Sequence, residues 1–239
     1  MMKKTLLALA LCSISLAHAD DRALLIGVGT FSAPSESARP SSLNGTDTDL
    51  AKMRRLASEW GFNNIRELKN EQATSTNLKK VFDEFITSAV TPNDRVLIYF
   101  TGHGSQVPDQ NGDEADGLDE VLVLNDTELV SGADGQTTLR NVWVDDEINA
   151  MFSRVVAKDI FFIVDACHSG TSASSGGFGT SVKKYTAKRF RYPGMMLPKS
   201  RVTSGLLAKG NIRPAANDAA APERVVLLAA AQDDEESLD

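Results

Sequence analysis

Four short, nearly uninterrupted apolar runs limit how this chain can fold: residues 23–28 (ALLIGV), 95–100 (RVLIYF), 159–164 (DIFFIV) and 224–230 (RVVLLAA). Apolar runs without polar alternation are strands buried on both faces, the signature of a parallel sheet covered on each side. The segments between them fit that role. Residues 46–60 carry Leu50, Met53, Leu56, Ala57 and Trp60 at helical spacing and stop at Gly61. Residues 74–90 repeat the pattern through Leu78, Val81, Phe82, Phe85, Ile86 and Ala89, with Pro92 behind. A third helix is predicted over 144–152, with Asp145, Asp146 and Glu147 in the first turn, where the helix dipole favours acids. Residues 64–68 and 120–124 predict two further strands. Alternating strands and helices imply one α/β domain with a mainly parallel sheet sandwiched by helices.

The N-terminus has a different grammar. Lys3 and Lys4 precede a short apolar stretch that ends at Ala17-His18-Ala19, the parts of a secretory signal peptide cleaved after Ala19. The apolar stretch is too short to span a bilayer. The expectation is an exported protein, periplasmic or secreted, with no membrane attachment once residues 1–19 are gone. Removing the two lysines takes the formal charge from −7 to about −9. Together with a sequence pI near 5.1, this argues against nucleic acid as a partner. Cleavage also removes Cys12, so Cys167 is left as the single thiol and no internal disulfide is expected.

In open α/β sheets, sites form beyond the carboxyl ends of the strands. The run 95–100 is followed by Thr101-Gly102-His103-Gly104, and the run 159–164 by Asp165-Ala166-Cys167-His168-Ser169-Gly170. On neighbouring strands, His103 and Cys167 would emerge from the same sheet edge within reach of one another. A thiol beside an imidazole is a nucleophilic dyad, and the backbone amides of Gly104 and Cys167 are candidate oxyanion donors. His168, next to the thiol, would point the other way. Taken singly, Cys167 reads rather as a small buried hydrophobe and His103 as a loop histidine; it is the pairing at two strand ends that gives them chemistry.

The segments YFTGHGS and IFFIVDACHSG resemble the histidine and cysteine motifs of the caspase-like cysteine peptidases, specifically the metacaspase branch with its bacterial orthocaspases. ALLIGVGTF, SLNGTDTDLAKM and DQNGDEADGLDEVLVLND extend the resemblance over residues 22–170. It implies a caspase-like fold and a catalytic pair formed by His103 and Cys167. It also implies a substrate pocket with Asp165 as its acidic floor, Asp49 as a second acid and Thr101 where the family usually has serine. Pocket carboxylates select Arg or Lys before the cleaved bond and repel acidic side chains. The alternative for both acids is a helix cap or a surface position.

The same resemblance implies Ca2+ as cofactor, since Asp119, Asp145 and Asp146 match the family's activating acids while Ser174 stands where a fourth acid would be. A rival site takes Asp109, Asn111, Asp113 and Glu120 as an EF-hand-like loop, with Glu114 where glycine is needed. The plain alternative is a solvated acidic loop. Beyond Gly170, the Gly/Ser-rich run 171–181 leads into 183–213, which holds about nine bases and no acid. Residues 171–222 therefore read as a long basic loop, either a linker or a target that the enzyme itself could cleave. Residues 223–239 would begin a small-subunit region, and the sequence stops where family members continue, so a C-terminally incomplete domain is expected. A monomer acting on protein or peptide substrates is the expected working form. Two other functions stay open: a legumain- or gingipain-like peptidase with a different pocket preference, and a non-catalytic calcium-binding or interaction module.

Overall fold

A computed structural model of the chain describes residues 19–32, 39–112, 114, 117–131, 135–166 and 225–229. In chain order its elements are β1 (Arg22–Gly27), α1 (Thr46–Glu59), β2 (Asn64–Lys69), α2 (Ser75–Val81), β3 (Arg95–Thr101), β4 (Gly104–Pro108), β5 (Leu118–Ser131), β6 (Thr137–Val144), α3 (Asp145–Ser153), β7 (Asp159–Asp165) and β8 (Val225–Ala229). Five strands form one sheet in the order β2-β1-β3-β7-β8, and every neighbouring pair is parallel. The expected parallel sheet is present, built from the apolar runs that predicted it.

Alternation along each strand divides the core in two. Ala23, Leu25, Leu97 and Tyr99 face α1, where Leu50, Ala57 and neighbouring Phe62 complete one layer. Leu24, Ile26, Ile98, Phe100, Phe162 and Val164 face the other way, onto Leu78, Phe82, Ile86, Ile148 and Phe152. Helices thus cover both faces. α1 sits very close to the sheet because β1 ends in glycine: a Cβ on Gly27 would lie 2.5 Å from Leu50 Cδ1. That close seat brings Asp49, at the start of α1, to the sheet edge where the site lies.

Three details differ from the sequence expectation. The predicted helix over 74–90 is α2 followed by a π-helical segment, Phe82–Thr87, in which the Ser88 N–H reaches back five residues to the Asp83 carbonyl at 2.9 Å. The final strand was expected to be buried on both faces, yet Val226 and Leu228 are 44% and 52% exposed. It is the sheet's edge, and among the described residues nothing covers that face. The third difference is a second sheet, antiparallel and ordered β4-β5-β6. The short strand expected over 120–124 is in fact fourteen residues long, and its two partners were not foreseen at all. Polar residues hid them: Ser105, Gln106, Asp119, Glu120, Asn125 and Thr127 are all buried in this sheet. A register shift between Val123 and Glu128, with Asn141 opposite at φ +60°, breaks the period-two pattern. No helix among the described residues is long and apolar enough to cross a membrane.

Candidate active site

β3 and β7 are adjacent, and their register aligns Thr101 with Asp165. The Gly102 N–H then donates to the Asp165 carbonyl at 3.3 Å, so the two chains stay paired to the end of the strands. His103 and Cys167 each stand two residues beyond this aligned pair. The described chain reaches Ala166, so Cys167, together with His168 and Ser174, lies outside the described residues. Only glycine fits at position 102, since a Cβ there would meet the Phe100 ring at 2.9 Å. This tight bend turns the chain from β3 into β4 and sets His103 between the two sheets.

His103 is fully buried. Its Nε2 lies 2.8 Å from the Ser41 carbonyl. A carbonyl only accepts, so Nε2 carries the proton and, in the neutral ring, Nδ1 carries the lone pair. The ring is inclined 30° to that of Phe31, with centroids 5.5 Å apart. Its backbone is held as well, by the Val123 N–H donating to the His103 carbonyl at 2.9 Å. In antiparallel pairing this bond makes Gly104 and Leu122, the next aligned pair, a non-hydrogen-bonded one. The Gly104 N–H is thereby directed away from β5, as an oxyanion donor requires. Ser41 and Phe31 were not found by sequence reasoning. A backbone carbonyl leaves no residue-type signal, and Phe31 reads as an ordinary core residue.

The proposed pocket acids lie on the α1 side. Asp165 ends β7 on the same face as Tyr99 and Thr101 of β3, and Asp49 is part-buried on α1 with Lys52 Nζ 3.5 Å from its Oδ1. Tyr99 is the residue that joins them. Its buried hydroxyl is hydrogen-bonded to Thr101 and to the Asp165 carboxylate. Burial, reinforced by the negative charges of Asp165 and Asp49, pushes the Tyr99 phenol well above its ordinary range. Asp165 and Thr101 thus meet at the hydroxyl of a tyrosine that the sequence reading counted as core, and Asp49 acts on it through its charge.

The acidic group forms a separate cluster at the junction of β5 and α3. Asp119 is buried on β5, and Asp145 opens α3. Burial and the neighbouring charges of Asp119, Asp146 and Glu114 push the Asp145 carboxyl up to about 7, against the pull of the Asp146 N–H. Asp145 Oδ1 is buried and has no hydrogen-bond partner among the described residues. Asn111 Nδ2 donates to Asp146 Oδ2 at 2.5 Å and ties the β4–β5 loop to this helix start. Among the described residues, no three His, Cys, Asp or Glu side chains converge as a ready ligand set. The orphaned oxygen and the all-carboxylate donor set nonetheless suit a hard divalent cation.

The EF-hand-like alternative fares worse. Asp109 accepts from the backbone N–H groups of Asn111, Gly112 and Glu114. Burial would raise its carboxyl, but those three bonds outweigh it and hold the group below the usual range. Glu120 is buried on β5 and takes a hydrogen bond from Gln106 Nε2 at 3.2 Å. Asp113 lies outside the described residues. Strands rather than helices flank the loop.

A parallel sheet with helices on both faces and a buried histidine just beyond its middle strand marks an α/β domain whose site lies at the carboxyl ends of the strands. The chain belongs to the caspase domain family, whose model matches residues 20–239. Among curated proteins, it is 30% identical to Metacaspase-1B of Aspergillus terreus over 162 residues, which is 63% of this chain and 38% of that one. It is 34% identical to Metacaspase-2 of Arabidopsis thaliana over 165 residues, 64% of this chain and 35% of that one. The matched region therefore spans little more than a third of these relatives. A crystal structure of a protein from Geobacter sulfurreducens is similar with a TM-score of 0.50 and 26% identity, covering 63% of this chain and 52% of that one.

Proposed function

We propose that the chain is a cysteine endopeptidase that cleaves after Arg or Lys through His103 and Cys167, stimulated by calcium and able to cut its own basic loop. The observation that carries this reading is His103, buried at the end of β3 with Nε2–H committed to the Ser41 carbonyl and Nδ1 left as the basic nitrogen. The steps follow from the groups. The Cys167 sulfur attacks the scissile carbonyl carbon, and the C–S bond forms as the carbonyl π pair moves onto oxygen. The Gly104 and Cys167 amides receive that oxyanion. His103, having taken the thiol proton, gives it to the departing amine, and the C–N bond breaks to leave a thioester. Water, deprotonated by the same imidazole, then releases the acid and restores the thiol. Asp165 and Asp49, steadied by Tyr99, would pair with the guanidinium or ammonium of the substrate.

Asp119, Asp145 and Asp146 would hold the calcium ion, whose charge would relieve the carboxylate repulsion at the start of α3. Among the family's peptidases, the acid set at the pocket favours this preference over a legumain-like choice of Asn. The protein is further read as an exported monomer that begins at Asp20, which N-terminal sequencing of the secreted chain checks. The decisive assay is hydrolysis of fluorogenic Arg, Lys, Asn and Asp peptides, with and without calcium, by the wild type and Cys167→Ala. Arg or Lys turnover lost in Cys167→Ala is the expected result. Turnover that survives Cys167→Ala, or confined to Asn or Asp peptides, overturns it. Incubation with calcium should also nick the chain within 183–213, and an intact chain in an actively turning-over sample would refute self-processing.

A further inference from the structure

Asn125 lies in β5, next to last in the segment DQNGDEADGLDEVLVLND, and is 2% exposed. Its Nδ2 donates to the Thr30 carbonyl at 2.7 Å, and its Oδ1 accepts from Ser32 Oγ at 2.7 Å. Its backbone carbonyl accepts the Ser32 N–H at 2.9 Å, and its own N–H is anchored on the Ala73 carbonyl at 3.0 Å. Thr30 and Ser32 are the two neighbours of Phe31. Three bonds from one residue therefore grip the chain on either side of the ring that packs on His103. The same strand, two residues earlier, holds the backbone of His103 through Val123. β5 thus fixes both the imidazole's point of attachment and its apolar backstop, and so sets the position of one relative to the other.

We infer that Asn125 is a positioning residue for His103, acting through Phe31. An asparagine suits the task because its amide presents a donor and an acceptor in one plane, matched to a carbonyl on one flank and a hydroxyl on the other. A ring held from one side only could slide along the imidazole, and displacements of this order reduce turnover by up to about 100-fold. The inference rests on the peptidase reading for its kinetic consequences but not for its structural ones.

The test uses the full chain with Asn125→Ala, Phe31→Leu, the double variant and the milder Ser32→Ala. On an Arg peptide, Asn125→Ala should lower kcat by roughly 10- to 100-fold with KM within about twofold and a shifted acidic limb of the pH profile. Ser32→Ala, which removes one bond, should lower kcat a few-fold and keeps the test open if Asn125→Ala does not fold. The double variant should be no slower than the worse single one, since both act through the same ring. Unchanged kcat in the folded variants, or losses that multiply, would overturn the inference. A histidine NMR readout needs no turnover: the wild type should show a slowly exchanging Nε2–H resonance for His103, lost or broadened in folded Asn125→Ala or Ser32→Ala. An unaltered resonance and titration midpoint would refute the positioning role, whereas a wild type that cleaves nothing would refute only the peptidase reading.

Discussion

The five-stranded and three-stranded sheets bury polar groups in opposite ways. In the parallel sheet, the middle strands β1 and β3 are apolar along their lengths, and polar side chains gather at the strand ends, Asp21 and Asp94 at the amino end and Thr101 and Asp165 at the carboxyl end. In the antiparallel sheet, buried polar residues run along the strands themselves, from Ser105 and Gln106 through Asp119 and Glu120 to Asn125 and Thr127. The cause is geometric. Interior parallel strands satisfy their backbone on both sides and are covered on both faces, so only where they end does the chain leave room for a reacting group. The smaller sheet packs on α2 and α3 and touches the large one through Trp143 on Phe162, and polar residues such as Asn125 tie loops down. In the proposed peptidase, one sheet would place groups for chemistry and the other would hold them still and gather charge.

The sharpest way to break this contrast is to damage the large sheet's core. Phe162 is fully buried against Phe152 and Trp143, so Phe162→Ala should cost about 3–5 kcal/mol in urea unfolding. A cost below 1 kcal/mol would mean that the parallel core is not what holds the fold. At the sheet's end the effect should be on specificity instead. Asp165→Asn should reduce kcat/KM for Arg peptides by roughly 100-fold while leaving Tm within a few degrees, because it removes one of the charges meant for the substrate. An Arg preference that survives this change would relocate the pocket.

The acidic cluster of the smaller sheet predicts a pH effect of unusual sign. Folded Asp145 binds its proton more tightly than the unfolded chain does, so in chelator-treated buffer stability should fall as pH rises from the ordinary carboxyl range, about 4, to about 7. Above that the full penalty is present. Asp145→Asn should flatten the profile and raise Tm at pH 8 by a few degrees, and added calcium should do the same for the wild type. A lower Tm for Asp145→Asn at pH 8 would show that its carboxylate is already well paired. The smallest effect is expected at the outer end of the same sheet. Arg140 and Glu128 form an exposed pair at 2.5 Å, and Arg140→Ala should change stability by less than about 1 kcal/mol and less still in high salt.

How much was legible follows the same division. The parallel strands, the two main helices and α3 could be read because each buries one chemical type, leaving an unbroken or 3.6-period trace of apolar residues. β4 could not, since it buries serine and glutamine and carries little hydrophobic pattern, and β6 could not, since the register shift beside Asn141 breaks the alternation of its buried Leu139, Val142 and Trp143. His103 was legible from its position beyond a strand end, whereas Asp165, Asp49 and Thr101 were singled out only by the family resemblance. Tyr99 was not, because a tyrosine in an apolar run looks like core until its hydroxyl is found on Asp165 and Thr101.

The sequence alone marked His103 and Cys167 as candidates beyond two buried strands, since strand burial follows from local composition, while the adjacency and register of those strands came from the fold. Tertiary structure decided which nitrogen of His103 bears the proton, what holds the ring, and which carboxylates repel one another. Those depend on the Ser41 carbonyl, on Phe31 gripped by Asn125, and on Asp119 meeting Asp145. These contacts join segments 26 to 95 residues apart, and a distance of that kind is set by how sheets and loops pack, not by any local pattern of side chains.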